Sequence, residues 1–354
     1  MAKHANKRVI LIDMDIKQNV SLRDYSTMRL GGTAQNMVEV NNKDELAEAV
    51  EWAAKLNLPT VIIGEGSNII WSDNGFKGLV IINKILGFEK LAEDESSSTY
   101  KIGAGEDWDL TVNRLVEENL SGVECLSLIP GKAGATPVQN VGAYGQEISQ
   151  TLQSLEAYDS QSKSFVTITN QDCGFDYRNS RFKSSDKGRF FIVSITLRLT
   201  KIAPNPPFYA NLQAYLDEHN IHEYSPQIIR DAVIAIRSEK MPDWHKIANN
   251  GSFFANPIVS PEKYAELKAK YSGIVAWPQE NGYKLSAGWL LEAAGLRGYH
   301  DPETGMATSD KTALVFINEN AKDTADLLKF KQKVTEKVKA MFGIELAQEP
   351  ELIS

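Results

Sequence analysis

The feature that most constrains the fold of this chain is a glycine-dense segment over residues 129–145. It contains four glycines and almost no large apolar side chain, so it is too long for a turn and too poor in volume for a core element. Such a segment is typical of backbone that lies close against a flat ligand. Thr136, Gln139 and Asn140 would add hydrogen bonds. The segment is therefore predicted to bind a cofactor.

A second glycine-rich loop, Gly64–Asn68, follows the apolar run Val61–Ile63, which predicts a buried strand. Its two glycines would let backbone N–H groups approach an anion closely, and Ser67 and Asn68 would add side-chain donors. A plain turn between strands explains this loop equally well. Together with residues 129–145, however, it suggests one cofactor that is held at two ends.

Neither glycine pair matches the dinucleotide-binding fingerprint. That fingerprint needs a third glycine and a following helix whose N-terminus faces the pyrophosphate. Ile69 occupies the third position after Gly64 and Gly66, and the loop continues into an apolar, strand-like run. Trp108 occupies it after Gly103 and Gly105. A Rossmann nucleotide site is therefore disfavoured.

Charge and composition exclude several broad classes of function. A net charge of −8 makes nucleic acid an unlikely partner. No apolar run is long enough to span a membrane. The apolar stretch within residues 1–13 is too short for a signal peptide and is interrupted by the acidic residue Asp13. Two cysteines and five scattered histidines predict no metal site. A cytoplasmic monomer without membrane or nucleic-acid partners is expected.

Helix and strand signals are mixed along the chain, which predicts the α+β class. The capping pair Asn42 and Glu45 marks one helix start, and Gly343 marks a helix end. Further helices are predicted over residues 107–119, 212–216, 227–237, 285–294 and 323–342, and strands over residues 61–63, 69–71, 79–82, 100–102, 155–158 and 190–199.

Seven segments in order carry a specific resemblance: residues 26–32, 64–68, 129–145, 177–183, 251–257, 284–290 and 349–351. The two glycine-rich loops resemble the FAD-binding (PCMH-type) domain of flavoproteins related to vanillyl-alcohol oxidase. Over residues 20–351 the chain resembles the UDP-N-acetylenolpyruvoylglucosamine reductase family. The resemblance implies three domains, which are two FAD-binding subdomains at 1–83 and 84–236 and a substrate-binding domain at 237–345. It also implies a tail, 346–354, that returns to the first.

FAD and NADPH are the cofactors that the resemblance implies. The residues expected at FAD are Gly64, Glu65, Gly66, Ser67, Asn68, Ile129, Pro130, Gly131, Gly134, Ala135, Thr136, Gln139, Asn140, Gly142 and Ala143. Neither loop contains histidine or cysteine, which argues against a covalent flavin of the kind found in many oxidases.

The implied reaction reduces the enolpyruvyl ether of UDP-N-acetylglucosamine to UDP-N-acetylmuramate, a precursor of peptidoglycan. Hydride passes from reduced FAD to C3 of the substrate, and a proton is added at C2. Arg178 would stabilise the negative charge that develops, Ser252 would donate the proton, and Glu351 would supply a carboxylic group. On sequence alone, each of these three residues has a more common explanation. An isolated arginine such as Arg178 is more often structural or at the surface, a serine after glycine such as Ser252 more often caps a helix or lies in a turn, and a glutamate in a terminal tail such as Glu351 is more often solvated.

Tyr209, Lys240 and Asn256 are the residues expected to bind the substrate, with Tyr209 on an insertion over about 204–225. Ala255 and Thr312 depart from the usual lysine and glutamine of the family, which puts some substrate contacts in doubt. Two alternatives stay open. One is an FAD-dependent sugar or alcohol oxidase on the same fold, and the other is a nucleotide-binding or scaffold protein without activity.

Overall fold

The computed structural model describes residues 14–354, so the prediction that no signal peptide is present falls on residues outside the described part. The first unit contains β1 (Lys17–Ser21), β2 (Thr33–Val40), α1 (Lys43–Lys55), β3 (Thr60–Ile63), β4 (Ile69–Trp71) and β5 (Phe76–Asn83). Its sheet has the order β1-β2-β5-β3, with β1 antiparallel and the other pairs parallel. The predicted cap of α1 is present, because the Asn42 side chain accepts the Glu45 N–H at 3.0 Å.

The second unit is built on an antiparallel sheet of five strands. Its elements are β6 (Phe88–Glu93), β7 (Ser97–Gly103), α2 (Trp108–Glu117), β8 (Gly142–Ala143), β9 (Gln146–Glu147), β10 (Leu152–Asp159), β11 (Ser164–Thr169), β12 (Phe190–Thr200), α3 (Ala210–Glu218) and α4 (Pro226–Lys240). The strand order is β11-β10-β12-β7-β6. The glycine-dense segment is tied to β7 and its following turn, because Gly134 N–H donates to the Ala104 carbonyl at 2.9 Å.

The third unit contains β13 (Ile258–Val259), α5 (Pro261–Lys270), β14 (Ala276–Gln279), β15 (Gly282–Leu285), α6 (Ala287–Ala293), β16 (His300–Asp301), β17 (Met306–Thr308), β18 (Phe316–Asn318) and α7 (Thr324–Phe342). α6 begins later than predicted because Leu285 ends a strand and Ser286 caps the helix. α7 agrees with the prediction: Asp323 caps its start, and Gly343, with φ +67°, ends it.

The end of the chain returns to the first unit as β19 (Glu351–Ile353), which pairs in parallel with β4. One apolar cluster also joins these parts of the molecule, since Met28, Leu30 and Ile70 pack with Phe253 and Phe254. The combination of mixed sheets and helices confirms the α+β class. The boundaries at residues 83, 236 and 345 stay predictions.

An ion pair fixes α4 against α2. Arg230 is 5% exposed, and its guanidinium binds both carboxylate oxygens of Asp109 at 2.7 and 3.1 Å. Burial raises the pKa of Asp109, but hydrogen bonds from Arg230 and the Leu128 N–H outweigh it, so the net pKa lies below its ordinary 3.8. The carboxylate is therefore stabilised in the folded state.

Replacing Asp109 with alanine is expected to lower the free energy of unfolding by about 3 kcal/mol, because a buried guanidinium loses its partner. Lys246→Ala removes an exposed pair with Asp243 and should cost under about 0.5 kcal/mol. Urea unfolding at pH 7 measures both. Since the folded pKa of Asp109 is lowered, its contribution is present above 3.8 and is lost as pH falls below that value. Equal costs for the two variants would contradict the expectation.

Candidate active site

The two glycine-rich loops meet in the structure. Ser67 Oγ donates to the Pro130 carbonyl at 3.1 Å, the Glu65 carboxylate accepts the Gly131 N–H at 3.1 Å, and the Asn68 amide donates to Gln139. The first loop needs glycine at position 66, where φ is +73° and a Cβ would lie 2.1 Å from the Tyr25 carbonyl oxygen. Segments far apart in the chain thus form one continuous surface.

This surface has the donors that a dinucleotide cofactor requires. The N–H groups of Glu65, Gly66 and Ser67 donate to no other residue within 14–354. Free backbone donors in consecutive positions favour a phosphate or diphosphate group. The Thr136 hydroxyl, in contrast, donates to the Ala133 carbonyl at 2.7 Å within its own loop. The residues fit FAD chiefly through backbone groups of the first loop.

Arg178 lies at the tip of a tight turn over residues 176–179. The turn is closed by two backbone hydrogen bonds of 3.1 Å between Asp176 and Asn179, and Arg178 has φ +54°. Its guanidinium donates to the Gly142 carbonyl at 2.7 Å, and its Nε lies 3.3 Å from Glu349 Oε1. The predicted arginine is thus placed on the glycine-dense segment and beside a carboxylate.

The carboxylate beside Arg178 belongs to Glu349 and not to Glu351, the glutamate predicted from the sequence. Glu351 begins β19, where its N–H donates to the Asn68 carbonyl and its side chain pairs with Lys187. Glu349 precedes that strand, and its N–H donates to the Phe253 carbonyl at 2.9 Å. Burial raises the pKa of Glu349, although Arg178 and Lys183 oppose the shift. Both glutamates lie in one motif of the sequence, and the catalytic role of either stays a prediction.

Ser252 follows a residue, Asn250, that binds the glycine-rich loop Gly64–Asn68. The Asn250 amide donates at 3.2 Å to Thr27 Oγ1, to the Ser67 carbonyl and to the Ile69 carbonyl. The Ser252 hydroxyl makes no hydrogen bond to any other residue of the described chain, so it is free to act on a ligand. Asn250 was not predicted, and no local pattern could have identified it, because its partners are some 180–220 residues away.

The predicted substrate residues are brought together only in part. Tyr209 packs against Tyr144 and Trp277, with ring centroids 6.0 and 6.4 Å apart. Asn256 Oδ1 accepts the Ala287 N–H at 2.9 Å, so the start of α6 holds this amide in place. Lys240 is exposed at the end of α4, and its side chain forms no hydrogen bond or ion pair within residues 14–354.

One further cation, which was not predicted as a site residue, lies between these groups. Lys284 Nζ is 4.7 Å from the centroid of the Tyr177 ring. Burial lowers the pKa of Lys284, and the nearby charge of Arg178 lowers it further. Lys284, Arg178 and Tyr177 together make this end of the site suitable for an anionic ligand.

Comparison with known proteins agrees with this geometry. The C-terminal domain of UDP-N-acetylenolpyruvoylglucosamine reductase matches residues 243–353, and an FAD binding domain matches residues 34–167. The reductase of Pseudomonas syringae pv. syringae is 36% identical over 342 residues, covering 96% of this chain and all of the relative. The chain belongs to the UDP-N-acetylenolpyruvoylglucosamine reductase family.

Two other members of the reductase family extend the comparison. The Neisseria gonorrhoeae reductase is 38% identical over 339 residues, with 95% of this chain and 96% of the relative covered. The crystal structure of the Thermus caldophilus reductase shares the fold, with a TM-score of 0.68 and 22% identity over 96% of this chain and 100% of that one. About 95% of the chain is thus covered by members of one family.

Membership of the reductase family confirms the predicted enzyme class. The chain is an FAD-dependent oxidoreductase of peptidoglycan synthesis, and FAD is its cofactor. Among the helices within residues 14–354, none is both long and apolar enough to cross a membrane.

Proposed function

We propose that this chain reduces the enolpyruvyl ether of UDP-N-acetylglucosamine with NADPH and yields UDP-N-acetylmuramate. The observation that carries the proposal is the placement of Arg178, Glu349 and the Ser252 segment on the surface formed by the two glycine-rich loops. When bound, FAD would carry the hydride from NADPH to C3 of the substrate. The double bond gains that hydride at C3 and a proton at C2, so NADPH and one proton are consumed for each product.

Arg178 and Glu349 would stabilise the charge that develops on the substrate. Hydride addition at C3 pushes negative charge onto C2 and into the carboxylate of the enolpyruvyl group. A guanidinium can bind a carboxylate with two parallel hydrogen bonds and stays protonated throughout. Because burial raises the pKa of Glu349, its carboxyl group retains a proton over a wider pH range and can donate a hydrogen bond.

Ser252 is proposed as the donor of the proton to C2. A hydroxyl is a weak acid, but the enolate of a carboxylate is a strong base, so a hydroxyl in contact with it is sufficient. The backbone on both sides of Ser252 is fixed, because Asn250 anchors the preceding segment and Phe253 N–H donates to the Leu314 carbonyl at 2.8 Å. Because the backbone that carries the Ser252 hydroxyl is fixed, the proton would be delivered to one carbon of the substrate.

Tyr209, Asn256 and Lys240 are proposed to bind the UDP-sugar. Tyr209 stands beside Tyr144 and Trp277, where the aromatic rings would pack against the base of a nucleotide and the nearby Lys284 would bind its phosphates. Such a nucleotide-activated substrate favours action in the cytoplasm, and we propose that the chain acts there as a monomer, which size-exclusion chromatography would test.

The proposed function is tested by an anaerobic visible spectrum of the purified protein. Addition of NADPH should bleach the yellow flavin, and addition of the enolpyruvyl substrate should restore the colour without oxygen. Recovery only when air is admitted would overturn the proposal in favour of an oxidase. Protein that is colourless and fails to take up FAD would contradict the enzyme class itself.

A further inference from the structure

Asn140 lies in the glycine-dense segment with all of its side-chain hydrogen-bonding groups in use. It is 1% exposed, its Nδ2 donates to the Glu147 carboxylate at 2.8 Å and to the Asp176 carbonyl at 3.2 Å, and its Oδ1 accepts the Ser149 N–H at 3.2 Å. An amide side chain offers two donors and one acceptor oxygen, so both donors are occupied. The side chain has no free donor to hold a cofactor, contrary to the expectation from the sequence.

The Asp176 carbonyl that Asn140 binds belongs to the turn that presents Arg178. Arg178 takes the left-handed conformation, with φ +54°, which non-glycine residues disfavour. A conformation of this kind persists only when surrounding contacts determine it, and it is enriched at functional sites. The hydrogen bond from Asn140 to the Asp176 carbonyl is one of the contacts that other parts of the chain make with the turn at 176–179.

Two further contacts tie the same turn to the glycine-dense segment. The Gly142 carbonyl accepts from the Arg178 guanidinium, and a Cβ at Gly142 would lie 3.0 Å from Arg178 Nη1, so a larger residue would crowd the guanidinium. Ser180 Oγ donates to the Val138 carbonyl at 2.6 Å. Residues 138–142 therefore hold both the backbone and the side chain of the catalytic arginine.

We propose that Asn140 is a positioning residue that fixes the turn at 176–179 and thereby sets the Arg178 guanidinium opposite Glu349. Its effect is on the half-reaction with the enolpyruvyl substrate, and the cofactor is held by other groups. This inference rests on the proposed function, because it assigns Arg178 and Glu349 to that half-reaction.

The test compares Asn140→Ala with Asn170→Ala by anaerobic stopped-flow absorbance. Asn170 is a matched control, since its amide donates to the Ser149 and Leu152 carbonyls at 2.7 and 2.8 Å and to no atom of the turn in the described chain. In Asn140→Ala, flavin reduction by NADPH should stay within about threefold, while reoxidation by the substrate should slow by about 10–100-fold. Asn170→Ala should change neither rate by more than about threefold.

The pH profile of the substrate half-reaction separates a positioning role from a general loss of structure. Arg178 and Lys183 act on the Glu349 carboxyl group and lower its pKa against the effect of burial, and Tyr177 stands beside them. If the turn loosens, the attraction from Arg178 weakens and the pKa of Glu349 rises. The alkaline limb should therefore move to higher pH in Asn140→Ala and stay in place in Asn170→Ala.

Two results would overturn the inference. Equal slowing of both half-reactions with release of FAD would make Asn140 a cofactor-holding residue, and an unmoved alkaline limb would exclude an effect through Arg178. If Asn140→Ala does not fold, Ser180→Ala removes the neighbouring anchor of the same turn and is judged by the same two criteria. Wild-type flavin that the substrate fails to reoxidise would overturn the proposed function itself, and this inference with it.

Discussion

Replacing Ser252 with alanine is expected to slow reoxidation of the reduced enzyme by the enolpyruvyl substrate by about 10²–10⁴-fold, the usual contribution of a positioned acid or base. Flavin reduction by NADPH should remain within about threefold of wild type, because that step needs no proton at C2 of the substrate. The change removes one hydroxyl that makes no hydrogen bond within residues 14–354, so stability should alter little. Anaerobic stopped-flow absorbance measures the two half-reactions separately.

A suitable control is Ser260→Ala. The Ser260 hydroxyl accepts the Lys263 N–H at 3.3 Å at the start of α5, so its loss should cost about 1 kcal/mol of stability without changing either half-reaction. Equal losses in both half-reactions of Ser252→Ala would contradict the role of proton donor. They would instead assign Ser252 to the shape of the flavin site.

Local chemistry explains why some helices were predictable and one was not. α1 and α7 carry cap residues, Asn42 and Asp323, whose side chains accept N–H groups of the first turn. α5 has equally good signals in Ser260 and Pro261, but only Leu267 of its ten residues is buried. A helix with so narrow an apolar face leaves little periodicity in the sequence. Its position is set by the packing of Leu267 and Tyr264 within the third unit.

The candidate site shows more clearly what could not be predicted from the sequence alone. Motifs single out Arg178 and Ser252 as candidates, but which of Glu349 and Glu351 lies beside Arg178 depends on where β19 begins, and that is decided by pairing with β4, far away in the chain. The same holds for Asn140, which the sequence offers as a cofactor ligand and the fold uses to bind Asp176. Which partner a polar side chain meets is a property of the tertiary structure.

The pair Glu349→Gln and Glu351→Gln tests the proposed role of Glu349 with two changes of the same size and charge. Glu349→Gln should slow reoxidation by the substrate by about 10²–10³-fold, because the buried acid beside Arg178 is lost. Glu351→Gln breaks a half-exposed pair with Lys187 and should alter either half-reaction by less than about threefold. Stopped-flow rates from pH 5 to 10 measure both.

The two glutamine variants are expected to differ in how their reaction rates and stability depend on pH. Burial raises the pKa of Glu349, so the folded state favours its protonated form, and the contribution of this group to stability falls as pH rises from 4.5 through the raised value. Glutamine carries no such charge, so Glu349→Gln should remove the alkaline limb of the substrate half-reaction and leave stability equal or higher at alkaline pH. Loss of that limb in Glu351→Gln instead would return the catalytic role to the residue in β19. Both glutamates lie within the same three residues of the chain, so an effect confined to Glu349→Gln would come from the side chain beside Arg178 and not from a general disturbance of this segment.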